Sequence, residues 1–169
     1  IAFADELVEL GHKGFYLKSA SGRLSAYFVY ELVSALYKRF PDHEVNIHAH
    51  STYGEAPVCY MAAVLAAVEL NKDITMDVQH PALSGSTAQP SMNKMLNLIR
   101  NYPDQRVAKK SPQLNNDAIK SSMSSLYGLR FQYRDFESRY NSELVEAMYY
   151  ARTPGGASAT LKSIPGLVE

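Results

Sequence analysis

The sequence predicts an α/β fold built on a parallel sheet, and three observations carry that expectation. Helical and strand-like periodicities alternate from the start of the chain to about Arg100. The strand candidates are short runs rich in apolar and aromatic residues, as buried parallel strands require. The segments that follow them (19–22, 51–54 and 84–91) gather glycines and hydroxyl side chains. A doubly wound sheet and a (β/α) barrel both place ligands on loops of that kind, and periodicity alone does not separate the two.

Taken in order, Phe3, Leu7, Val8 and Leu10 fall at helical spacing over Ala2 to Leu10, with Gly11 as a stop. Gly14 to Lys18 reads as a strand that breaks into Ser19-Ala20-Ser21-Gly22. Ser25 to Phe40 carries Leu32, Val33, Leu36 and Phe40 on one helical face, and Pro41 ends it. Val45 to His50 is the second strand, Ala56 to Leu70 the next helix and Ile74 to Val78 the third strand, and a further helix starts near Ser91. From about Asn101 the composition changes to polar linkers and helical stretches near Asp117–Tyr127 and Glu143–Tyr150. Arg152 to Gly156 forms a sharp break. The expected division is therefore 1–101 and 102–169, the second part a mainly helical extension.

Composition narrows the function classes. The chain has 169 residues, room for one ordinary domain, and its 17 basic residues balance 17 acidic ones without a basic run. That pattern argues against a nucleic-acid partner or an anionic membrane surface. The longest apolar stretch, Val58 to Leu70, is too short to span a bilayer, so no direct membrane insertion is expected. The single cysteine, Cys59, lies in an apolar stretch; it excludes a disulfide scaffold and points to a reducing, cytoplasmic setting. The first residue is Ile1, inside a predicted helix, so a fragment or cleaved product is expected.

Three groups of residues carry candidate chemistry. His48 and His50 are two apart on a strand and project to the same face, where two imidazoles form a preorganised pair of nitrogen ligands for a divalent ion; two solvated or core histidines are the alternative. Lys18 ends the preceding strand at the corresponding height. It reads as a solvated charge, a cation that anchors substrate, a Schiff-base amine or, once carbamylated, an anionic oxygen ligand. Burial makes a lysine's neutral amine available for that last reaction. The loop from Leu83 to Ser91 is crowded with hydroxyls, and Ser91 is placed to cap the helix that follows.

Together these residues resemble the carboxyltransferase domain family of pyruvate carboxylase, transcarboxylase and oxaloacetate decarboxylase. The resemblance rests on four motifs in order: Tyr16 to Leu24, which is similar to the family's lysine followed by Asp-Met-Ala-Gly-Leu; Ile47 to Gly54, with the paired histidines; Ser84 to Ser91, similar to Ser-Gly-x-Thr-Ser-Gln-Pro-Ser; and Thr153 to Gly156, similar to a Pro-Gly-Gly segment. It implies the C-terminal half of a (β/α)8 TIM barrel with a helical extension. It also implies a biotin-dependent transfer of a carboxyl group between carboxybiotin and pyruvate or oxaloacetate.

In that family the lysine matching Lys18 is carbamylated and binds a divalent metal (zinc, manganese or cobalt) with the histidines matching His48 and His50. The metal stabilises the enolate formed as the carboxyl group moves. The resemblance gives Thr87 the proton shuttle between pyruvate and biotin, and gives Gln89 and Ser91 the biotin pocket. Implied partners are a biotin carboxyl carrier domain or subunit, the N-terminal half of the barrel with its aspartate ligand, and an oligomeric assembly. Departures are Ser19-Ala20-Ser21 for Asp-Met-Ala, Ser51 for aspartate, Pro81 for an acidic residue and Ala88 for serine, which remove three carboxylates and a hydroxyl that would help orient the ligands. A metal-dependent aldol or Claisen enzyme of the hydroxymethylglutaryl-CoA lyase or isopropylmalate synthase type, and a non-catalytic scaffold, are the competing readings.

Overall fold

Glycine and proline punctuate the chain where the periodicities change. In the computed structural model, which describes residues 1–136, helix α1 (Ala2–Glu9) ends at Leu10, and Gly11 turns the chain at φ +89° into strand β1 (Gly14–Ser19). Helix α2 (Ala26–Arg39) opens on Ser25, whose hydroxyl accepts the Phe28 N–H at 3.1 Å. It closes with Lys38 and Arg39, whose charges suit the negative end of the helix dipole. Strand β2 (Glu44–Ala49), helix α3 (Ala56–Glu69) and strand β3 (Thr75–Met76) follow, then a 3-10 turn (Pro81–Leu83) and helices α4 (Met92–Arg100), α5 (Gln105–Ala108) and α6 (Asn116–Gln132). Among the described residues no helix is long and apolar enough to cross a membrane. The sequence-predicted helix near Glu143–Tyr150 and the break at Arg152–Gly156 lie outside the described residues.

The sheet, by its strand order together with its polar open face, fits the barrel rather than the doubly wound architecture. Its strands run in the order β1-β2-β3, every pair parallel, with Gly14↔Glu44 through Ser19↔Ala49 on one side of β2 and Asn46↔Thr75 and Ile47↔Met76 on the other. Right-handed crossovers between strands laid down in sequence put successive helices on the same face, whereas a doubly wound sheet reverses its order and covers both. Burial agrees: Val45, Ile47 and Ala49 are at most 1% exposed beneath the helices, while Asn46 and His48 between them are only half-buried. The arrangement is an arc of a (β/α) barrel whose inner face is polar, followed by a helical extension.

The helix layer is held by small side chains. Helix α3 buries Ala56, Ala62, Ala63, Ala66 and Ala67 with Cys59, Tyr60 and Val64, so its backbone comes close to both the sheet and α2. Ile47, at 0% exposure, sits in the middle of this layer; burial of a side chain of that size stabilises by roughly 1.5–3 kcal/mol. A satellite cluster of Val64, Val68, Ile99 and Val107 fastens α4 and α5 to the back of α3. Helix α6 buries none of its own residues. It is tied to the segment before the hydroxyl-rich loop by His80 Nε2 to Ser122 Oγ at 3.0 Å and by the Arg130 guanidinium, which donates to the Ala82 carbonyl at 3.0 Å.

Strand β3 is shorter than the Ile74–Val78 expected from sequence. The ladder adds one more main-chain bond, from Asp77 N–H to the Ile47 carbonyl at 3.0 Å, and then stops. Its next bond would join Ala49 N–H to the Asp77 carbonyl. The Tyr60 hydroxyl lies between these two groups, accepting from Ala49 at 2.9 Å and donating to Asp77 at 2.8 Å.

Cys59 is 2% exposed and donates its S–H to the Leu24 carbonyl at 2.9 Å; burial pushes its thiol up to about 11. At pH 8 only about one molecule in a thousand then carries the thiolate. We expect iodoacetamide to label the folded chain at least about a hundredfold more slowly than the urea-unfolded chain, with the rate rising about tenfold per pH unit from 8 to 10. Equal rates for the folded and unfolded chains, measured by mass spectrometry, would contradict this burial.

Candidate functional site

The parallel register brings the sequence-predicted residues to one level. Lys18 pairs with His48 across β1 and β2, and alternation puts Tyr16, Lys18, Asn46 and His48 on the inner face, with His50 just beyond the end of β2. The two imidazole rings stand 5.1 Å apart, centroid to centroid, at 57° to each other. Lys18 is exposed on this face. The burial that would ready its amine for carbamylation is therefore not supplied by the described residues themselves.

Each imidazole is oriented through Nδ1. His48 Nδ1 donates to Asp77 Oδ2 at 2.9 Å, and the same carboxylate accepts the Tyr16 hydroxyl, whose oxygen lies 3.0 Å from His48 Nδ1. These donors hold the Asp77 carboxyl below its ordinary pKa, the Tyr16 hydrogen bond contributing most, and the same bond raises the Tyr16 phenol. His50 Nδ1 donates to the Thr87 carbonyl. With both protons on Nδ1, both Nε2 atoms carry lone pairs, and these converge: the Gln89 side-chain nitrogen lies 3.1 Å from His48 Nε2 and 3.2 Å from His50 Nε2. Gln89 is itself held by Gln79, which donates to its carbonyl oxygen at 2.5 Å.

The hydroxyl-rich loop is a closed turn rather than a strand extension. Gln79 bridges to Ser91 at its neck, where Gln79 N–H donates to the Pro90 carbonyl and Met92 N–H to the Gln79 carbonyl, both at 2.9 Å. Inside, Gly85 N–H reaches the Gln89 carbonyl at 3.0 Å and Ala88 N–H reaches the Gly85 carbonyl at 2.9 Å. Gly85 and Ser86 are both left-handed, at φ +87° and +50°, the second an unusual conformation for a residue with a Cβ. The turn puts Thr87 beside His50 and buries Gln89 to 7% exposure, and Ser51 N–H fastens it to β2 through the Ala88 carbonyl at 2.7 Å. Ser91 occupies the N-cap position of α4, but its side chain makes no capping bond, so the capping role expected of its hydroxyl is not realised.

Lys18, His48, His50, Thr87 and Gln89 thus share one rim, and Ser91 stands at the loop's neck. Sequence reasoning missed Asp77, Tyr16 and Gln79. Two of them had a readable signal: Asp77 alternates with apolar Met76 and Val78, and Tyr16 lies two before Lys18, so the period of two puts each on the ligand face. Among the described residues no three His, Cys, Asp or Glu side chains converge as a metal cage; the convergent pair is the two imidazoles.

Comparison with known proteins agrees with this fold. No family model matches the chain. Human mitochondrial pyruvate carboxylase is 36% identical over 103 residues, and pyruvate carboxylase of Bacillus subtilis (strain 168) is 30% identical over 161 residues, which take in 61% and 95% of this chain. The carboxyl transferase domain of Rhizobium etli pyruvate carboxylase, solved with pyruvate and biocytin, superposes with a TM-score of 0.77 at 27% identity over 95% of this chain. The chain belongs with the carboxyltransferase domains of the pyruvate carboxylase type. It spans 8% of the human and 13% of the Bacillus protein, and 25% of the Rhizobium chain.

Two of the departures from the carboxyltransferase pattern fall where the main chain does the holding. The Ser19 carbonyl accepts His50 N–H at 3.1 Å, and Ser51 acts through its N–H. The carboxylate that His48 Nδ1 meets is Asp77, beyond the end of the neighbouring strand.

Gly22 is the tightest backbone contact at this rim. It has φ +70°, and a Cβ there would lie 2.5 Å from the His50 carbonyl oxygen. We expect Gly22→Ala to cost about 2 kcal/mol in urea unfolding. Gly54→Ala, at φ +78° but with nothing within 4 Å of its Cβ, should cost about half of that. Equal losses at the two positions would show that the contact with His50 is not the limiting one.

Proposed function

We propose that this chain carries part of the active site of a biotin-dependent carboxyltransferase that moves a carboxyl group between carboxybiotin and pyruvate or oxaloacetate. The observation that carries the reading is the pair of imidazoles whose Nε2 lone pairs converge at the level of Lys18, beside the loop that bears Thr87.

The donor set fits a divalent metal. His48 and His50 would supply two neutral nitrogens, already fixed as Nδ1–H tautomers by the Asp77 carboxylate and the Thr87 carbonyl, and Lys18, as its carbamate, would supply an oxygen. Zinc, manganese and cobalt all suit such a set. The bound ion would place positive charge against the keto oxygen, where negative charge grows as the carboxyl group moves. Thr87 takes the proton from the pyruvate methyl group through its hydroxyl and passes it to the biotin nitrogen that gives up the carboxyl group. Gln89 and Ser91 line the biotin side of the loop, and the Gln79 amide keeps Gln89 turned toward the rim.

The remaining parts of the reading come from partners. β1 and β3 are the outer strands of the described sheet, and the N-terminal half of the barrel would pair with them, cover Lys18 and add the aspartate ligand. Biotin would arrive on a carrier domain or subunit, since the sequence has no Met-Lys-Met attachment motif. The setting proposed is a cytoplasmic oligomer.

The test uses the full natural protein. Elemental mass spectrometry should find stoichiometric metal in wild type and its loss in Lys18→Ala and His48→Ala. Thr87→Ala should keep the metal while carboxyl transfer falls about 10²–10⁴-fold. A metal-free wild type, or a Thr87→Ala variant with undiminished turnover, would overturn the assignment.

A further inference from the structure

Tyr60 stands on α3, the helix that crosses from β2 to β3, and is 0% exposed. A phenylalanine would fill the same space, so the buried hydroxyl calls for a polar explanation. In a parallel ladder a residue facing its partner makes two bonds: its N–H donates to the residue before the partner, and its carbonyl accepts from the residue after. Asp77, facing His48, makes the first of these with the Ile47 carbonyl at 3.0 Å. The second would run from Ala49 N–H to the Asp77 carbonyl, and here the Tyr60 hydroxyl is inserted, accepting at 2.9 Å and donating at 2.8 Å.

Two hydrogen bonds in series span more distance than one, so β2 and β3 part at this level while the Ala49 N–H and the Asp77 carbonyl both stay satisfied. The parting falls at the candidate site. Ala49 is the residue between His48 and His50, and Asp77 is the residue whose carboxylate accepts from His48 Nδ1. The opened space on the inner face is where the Gln89 side chain reaches between the two strands, in contact with both histidines and with Gln79.

We infer that Tyr60 is a positioning residue: its hydroxyl sets the gap between the His48–His50 strand end and the Asp77 strand end, and through that gap the direction of the two imidazole Nε2 atoms. The Tyr60 hydroxyl acts on main-chain groups and not on the imidazoles themselves. The inference rests on the metal-binding reading above, but its structural part can be read without metal.

The experiment compares wild type, Tyr60→Phe and Cys59→Ala in the full natural protein. Cys59→Ala is the packing control, since it disturbs the same buried helix without touching the ladder. Titration with cobalt(II) should show Tyr60→Phe weakened about tenfold or more, with its visible absorption band shifted. Cys59→Ala should keep the wild-type band even if its Tm falls by as much. Crystal structures should show Ala49 N and Asp77 O drawn together into a direct bond in Tyr60→Phe.

If a water molecule takes the hydroxyl's place and the cobalt band is unchanged, Tyr60 is a packing residue and the inference is wrong. A wild type that binds no cobalt sinks the metal reading alone, and the crystallographic comparison still decides the role of Tyr60. Should Tyr60→Phe fail to fold, hydrogen exchange in wild type decides: Ala49 N–H must exchange as slowly as the paired amides of β2, and rapid exchange overturns the inference.

Discussion

A sheet with all its crossover helices on one side has one dry face and one face left for chemistry. Strand side chains alternate, so each apolar residue that anchors β2 to the helices (Val45, Ile47, Ala49) commits its neighbours (Asn46, His48, His50) to the opposite side. The hydrophobic effect thereby does the placing. Burial of three side chains fixes the strand, and the strand aims the imidazoles.

Much of this could be read from the chain. The alternation of elements, the paired histidines and the glycines that end helices and strands are local features, and local features survive into the fold. What stayed hidden depends on contacts across long sequence separations. The partner of His48 Nδ1 is 29 residues away at Asp77, and the partner of Ala49 N–H is on a helix whose uniformly apolar sequence says nothing about where one hydroxyl points. The Ile74–Val78 run has sound strand composition, yet its ladder ends early because a side chain takes over a main-chain bond. Lys18 shows the opposite limit: its height on the sheet follows from the period of two, but the burial that carbamylation needs is not found on the described arc, where it is exposed.

The supporting contacts of the site come from several elements at once. Nδ1 of His48 needs an acceptor, and the Asp77 carboxylate supplies it from beyond the end of the next strand. Tyr16 adds a hydroxyl to that carboxylate, so the acceptor is itself held from both β1 and β2. The hydroxyl-rich loop is likewise held by main-chain bonds across its neck and by α6, through His80 and Arg130, before any of its side chains are considered.

The pairing of Lys18 with His48 has a consequence for how such a site comes into being. A slip of β2 by one residue against its neighbours would turn His48 and His50 under the helices and bring Val45, Ile47 and Ala49 out to the polar side. Such a misaligned chain would bury two imidazoles among alanines and expose the centre of its core, so it has no competitive energy minimum. Placement of the imidazoles level with Lys18 and formation of the correct strand alignment are therefore one event. A chain that has found its native alignment has also placed its histidines, with no later step in which they must search for each other.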